Sequence, residues 1–147
     1  MQLKKILVSL GVLLCFFCTS LSTAAYADTA VQYSGFGVSP LYEIADYPYS
    51  YLSVSNGTAT CTSSTTGTNA VHISVTHTLQ KYWGLWIWND VKDASWSKNV
   101  DGSSIRLSST KSGLDGGTYR LRSVFTLTDR NGKSETVTIY SSEQKVS

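Results

Sequence analysis

The stretch Val71-His72-Ile73-Ser74-Val75-Thr76-His77-Thr78-Leu79 places Val71, Ile73, Val75 and Leu79 at one parity and His72, Ser74, Thr76 and Thr78 at the other. A period of two is the signature of a half-buried strand, because successive side chains of an extended chain point to opposite faces. The same alternation returns downstream. Tyr119, Leu121, Phe125 and Leu127 oppose Arg120, Arg122, Thr126 and Thr128, and Val137 and Ile139 oppose Thr136, Thr138 and Tyr140. Asp129-Arg130-Asn131-Gly132 joins the last two runs, so they predict a hairpin in which Asn131 and Gly132 supply the positive-φ positions of a tight turn. Weaker runs cover 51–55, 58–63 and 104–109, the last with Ile105 and Leu107 directed inward.

Seven or eight strands with one oily face each cannot remain a single open sheet without leaving that face in water. The expected fold is therefore all-β, a two-sheet antiparallel sandwich. About 120 residues bury roughly two thirds of their unfolded surface, which is enough for one core without staples. Residues 50–142 are assigned to this domain and 143–147 to a polar tail.

Upstream, Lys4 and Lys5 precede an apolar run of 13 residues, 6–18, and then the small-residue stretch Ala24-Ala25-Tyr26-Ala27. This is the layout of a secretory signal peptide spanning 1–27, since about 13 apolar residues are too few to cross a bilayer. The expectation is a secreted, extracellular chain with no stable membrane insertion after cleavage. Residues 28–49 carry Tyr33, Phe36, Tyr42, Tyr47 and Tyr49 without a steady period, and read as an aromatic-rich arm or an edge strand.

Cleavage would remove Lys4, Lys5, Cys15 and Cys18. The remainder then has as many basic as acidic residues, ten of each, which offers no electrostatic hold on nucleic acid. Cys61 is left alone and closes no internal disulfide. In phase with Ala59, it is expected to be a small buried group, with an intermolecular disulfide as the alternative.

The run Leu114-Asp115-Gly116-Gly117-Thr118-Tyr119-Arg120-Leu121 resembles the tyrosine-corner turn of immunoglobulin-like sandwiches, although Ser123 stands on the strand after Tyr119, where an immunoglobulin domain proper carries a second cysteine. Across about 50–142, the chain is similar to a group of small secreted proteins of Gram-positive bacteria whose domain has no known function. The similarity rests on Gly57-Thr58-Ala59-Thr60-Cys61, Thr78-Leu79-Gln80-Lys81, Trp88 with Val91 and Trp96, Gly117-Thr118-Tyr119-Arg120, Gly132-Lys133-Ser134-Glu135-Thr136-Val137-Thr138 and Tyr140-Ser141. It implies an immunoglobulin-like sandwich and no activity. Trp83 and Trp86 are additions to the pattern.

Chemistry-bearing spacings are few. His72 and His77 differ by five positions, so on one strand they face opposite ways and share no metal ion. There is no GxSxG elbow. Asp90 and Asp93, with Asn89, read as a solvated turn lacking the calcium-loop pattern. Asn56-Gly57-Thr58 fits a glycosylation acceptor, but an Asn-Gly turn explains it equally. These absences predict no cofactor and no metal.

The segment Tyr82-Trp83-Gly84-Leu85-Trp86-Ile87-Trp88 is apolar at both parities. A strand through it would show large apolar groups on both faces, and an exposed aromatic patch marks a binding surface. The reading is a non-catalytic binding module that contacts an extracellular protein or glycan through Tyr82, Trp83 and Trp86, with Trp88 and Trp96 in the core. Two alternatives stand beside it for these rings: the arm covers them, or a turn at Gly84 returns them to the core. For function, the alternatives are a secreted antimicrobial or signalling polypeptide, and a small hydrolase built on a histidine and a carboxylate.

Overall fold

The computed structural model describes residues 42–147. The stretch 1–27 read as a signal peptide and residues 28–41 of the arm lie outside the described residues. Eight strands follow in order: β1 Ala45–Ser55, β2 Thr58–Gly67, β3 Ala70–Gly84, β4 Ile87–Asp101, β5 Ser104–Lys111, β6 Gly117–Asp129, β7 Ser134–Tyr140 and β8 Gln144–Val146. One sheet has the order β1-β2-β5. The other has the order β4-β3-β6-β7, with β8 also paired to β6, and every pairing is antiparallel. Crossovers between the sheets give the immunoglobulin-like sandwich, with β4 on the sheet of β3, β6 and β7.

Turn chemistry sets the hairpins. Asn56 (φ 50°) and Gly57 (φ 66°) form the two-residue turn between β1 and β2. In the β6–β7 connection only Gly132 (φ 80°) is left-handed, so Asn131 does not play the part expected of it. The Asp129 carboxylate accepts the Asn131 and Lys133 N–H groups at 2.8 and 2.9 Å, and Asp129 N–H donates to the Lys133 carbonyl. That is a three-residue loop with a single left-handed glycine, and it has one positive φ where a two-residue type I′ turn needs two.

Two boundaries move. β1 begins at Ala45, inside the stretch read as an arm, because Ile44 and Ala45 are buried and Tyr42 packs on the same core cluster. The register shift between Asp46 and Tyr49, with Tyr47 at φ 50°, is what erased the period there. At the other end, Gln144–Val146 is a strand rather than tail. β7 covers only Arg122 to Thr128 of β6, and β8 pairs with Gly117 to Tyr119 beyond it while burying Val146.

The core has two apolar clusters. One gathers Ile73, Val75, Ile105, Phe125, Leu127 and Val137, and the other Leu52, Cys61, Leu79, Ala94, Tyr119 and Leu121. A polar seam of Ser50, Ser63, His77 and Ser123 is buried as well. His77 donates or accepts at both ring nitrogens, 2.8 Å from Ser63 Oγ and 2.7 Å from Ser109 Oγ, and Ser63 meets Ser123 at 2.6 Å. Ser123 thus belongs to the seam, while Leu121, two residues after the corner tyrosine, shares the apolar cluster of Cys61. The corner itself is present, with Tyr119 donating to the Asp115 carbonyl at 2.8 Å.

Cys61 is fully buried, and burial pushes its thiol up to about 11 against a weaker lowering influence of Ser109. Because the thiolate is the reactive form, the folded protein is expected to resist a thiol-alkylating reagent at mildly alkaline pH, whereas the urea-unfolded chain reacts promptly. Labelling of the folded chain at the unfolded rate would show that the cysteine is accessible.

Candidate functional site

β3 and β4 run past the end of the core and close at a two-residue turn, with Gly84 paired to Ile87. Gly84 (φ 108°), Leu85 (φ 48°) and Trp86 (φ 66°) are all left-handed. Such a turn favours Asn-Gly, and a left-handed residue with a Cβ costs roughly 1–2 kcal/mol. Here the two positions carry large apolar side chains instead. They do not recover that cost by packing: Leu85 is 86% and Trp86 90% exposed.

The three aromatics singled out from sequence leave this hairpin in different directions. Tyr82 lies on the outer face of its sheet, tilted against Trp88 with ring centroids 5.2 Å apart. Trp83 shares the inward parity of Leu79 but lies beyond the core, 77% exposed. Trp86 stands at the tip. Trp83 and Trp86 make no ring contact with each other, so the hairpin is a knob with aromatic flanks rather than one flat platform. The turn at Gly84 does not return Trp83 or Trp86 to the core.

Trp88 is not in the core either. The Arg120 guanidinium sits 4.1 Å from the Trp88 ring centre and 4.1 Å from that of Tyr140, held between two π faces. Its Nε donates to Gln80 at 2.9 Å, Gln80 donates to Asp90 at 2.8 Å, and Arg122 reaches the other Asp90 oxygen at 3.2 Å. Asp90 is therefore a strand residue in a network, not a solvated turn. Sequence parity missed this ladder because β4 carries a large bulge: Thr78 pairs with Ser95 but Gln80 pairs with Asp90. The extra residues, which include Asp93 at φ 55°, shift the face on which Trp88 emerges. Trp96, on the other side of the bulge, does pack on the core, edge-on to His77 at 5.4 Å.

Beside the hairpin is a hollow of about 270 Å³, lined by the apolar groups of Trp83, Val91, Leu114 and Tyr119 and by Lys81, Lys111, Asp90 and Asp115. A second hollow of similar volume lies between β1 and β7, lined by Pro48, Tyr49, Tyr51, Ile139 and Tyr140. His72 bonds the Asp101 carboxylate at 2.7 Å at the far end of β3, outside both hollows. Among the described residues, no group of three or more histidine, cysteine or acidic side chains could hold a metal ion.

No family model matches the chain, and no curated protein does. Two crystal forms of wild type OgpA from Akkermansia muciniphila align with it at 13% identity, with TM-scores of 0.39 and 0.38. The alignments cover 78% and 76% of this chain but only 32% and 34% of OgpA, so the chain spans about a third of that protein.

Proposed function

We propose that this chain is a secreted, non-catalytic binding module that contacts an extracellular protein or glycan through the β3–β4 hairpin, with Trp83 and Trp86 as principal contacts and Tyr82 beside them. The observation that carries this reading is the tip itself: two bulky apolar residues held left-handed and almost wholly in water. Backbone strain without compensating packing collects where a side chain is kept for contact with something else. Trp is also the residue type most often found to dominate binding energy. The His72 and Asp101 pair gives a hydrolytic reading little to build on, since it lies outside either hollow.

The test replaces the tip by the residues its geometry favours. Leu85→Asn with Trp86→Gly is expected to stabilise the fold by about 1 kcal/mol, read from urea unfolding. On arrays of polysaccharides and purified extracellular proteins, the same variant, and Trp83→Ala, are expected to weaken capture of whatever the wild-type chain retains by at least about tenfold. A destabilised tip variant, or capture equal to wild type, would refute the proposal.

A further inference from the structure

Resting on that reading, we infer that the hollow beside the hairpin takes one uronic-acid residue of an acidic glycan, stacked on Trp83 with its carboxylate at Lys81 and Lys111.

The hollow is built in advance. Tyr119, its floor, is fixed by the corner bond to Asp115, and the segment between β5 and β6 is tied down where Leu114 N–H donates to the Gly57 carbonyl at 3.0 Å. Lys81 is held as well. Its ammonium lies 5.6 Å from the Tyr119 ring centre, and its stem runs so close to Gly117 that a Cβ there would stand 2.7 Å from Lys81 Cε. Gly117 leaves the slot in which this lysine lies. At about 270 Å³, the space falls just under the ~300–1,000 Å³ of drug-sized sites, which suits one ring and not an extended chain.

The lining then selects the ring. Asp90 is occupied on both oxygens by Gln80 and Arg122, whereas neither Lys81 nor Lys111 has a carboxylate in ion-pair contact among the described residues. Asp90 also lines the hollow, but its charge is met by Arg122 from outside it, which leaves two ammonium groups against the Asp115 carboxylate, a positive balance that calls for an anion. Asn89 and Asp115 add a donor and acceptors, the complement of hydroxyl groups that do both. An indole wall takes the C–H face of a sugar ring. A uronate offers all three at once: one carboxylate, several hydroxyls and an apolar face.

The test uses sodium glucuronate as probe, followed on the Trp83 indole N–H by NMR of the full chain, with glucose, acetate and glycine as comparisons. A saturable shift with a Kd near about 1 mM is expected, the strength a dozen heavy atoms typically give. Lys111→Gln and Lys81→Gln should each weaken it about tenfold, and added salt should weaken it too. Glucose should bind at least about tenfold less well. No saturation by about 50 mM, well past that Kd, overturns the inference. So does an equal response to acetate, which would mean a generic anion site, or tighter binding of glycine, which would mean a zwitterionic peptide or amino-acid ligand. If the lysine variants keep array capture while Trp83→Ala and the tip variant lose it, the uronate assignment fails and the binding reading stands. If every variant keeps capture, the binding reading fails.

Discussion

Glu135→Ala is expected to destabilise the domain by about 3 kcal/mol, with the loss concentrated where the chain enters β1. The Glu135 carboxylate accepts three successive main-chain N–H groups, from Glu43 on one oxygen and from Ile44 and Ala45 on the other, each at 2.9 Å. It stands on the inner face of β7, opposite Leu127, so it ties the end of one sheet to the first strand of the other. Bonds to a charged acceptor are worth more than neutral ones, and removing the acceptor strips the partner from the exposed Glu43 N–H and from the part-buried N–H groups of Ile44 and Ala45. Ile44 and Ala45 belong to the core cluster around Phe125, so loosening their backbone also exposes apolar surface. Glu135→Gln retains one accepting oxygen and should lose roughly half as much. Urea unfolding gives the total, and amide exchange at Glu43, Ile44 and Ala45 locates it. A loss under about 0.5 kcal/mol with those amides still protected would mean the clasp is ornamental.

Glu135 also shows where sequence reading stops. β3, β6 and β7 were legible because their core residues keep a period of two, although Val71 at the start of β3 is exposed beside a register shift that buries Ala70 instead, and the sandwich follows from the number of such faces. Glu135 lies on the inner parity of β7, in phase with Val137, and looks like a violation of the pattern until the carboxylate meets three N–H groups ninety residues earlier in the chain. The bulge in β4 and the shift in β1 are of the same kind. Each moves side chains to the other face without any residue type announcing it. Tyr82, Trp83 and Trp86 were found by a cruder signal, apolarity at both parities, which says that some large groups must be exposed. It does not say which way they point. Their three directions, and the cation held between Trp88 and Tyr140, depend on the bulge and the turn.

A second large effect is expected from pH. Burial holds the His77 imidazole down to about 4, whereas in the unfolded chain it titrates near 6.5. As pH falls below about 6.5, the unfolded chain takes up a proton that the folded chain refuses. Stability present above 6.5 is thus lost progressively until about pH 4, and the loss from this group then levels off. The span corresponds to about 3 kcal/mol. The ring is held at both nitrogens, Nδ1 2.8 Å from Ser63 Oγ and Nε2 2.7 Å from Ser109 Oγ, so taking up a second proton requires the hydroxyl that donates to the neutral ring to turn and accept from it instead, within a wall of buried side chains. His77→Gln, which does not titrate, should remove the difference: wild type should lose about 3 kcal/mol relative to the variant between pH 7 and pH 4. A wild-type-to-variant gap that is the same at pH 7 and pH 4 would mean that the seam is open to water.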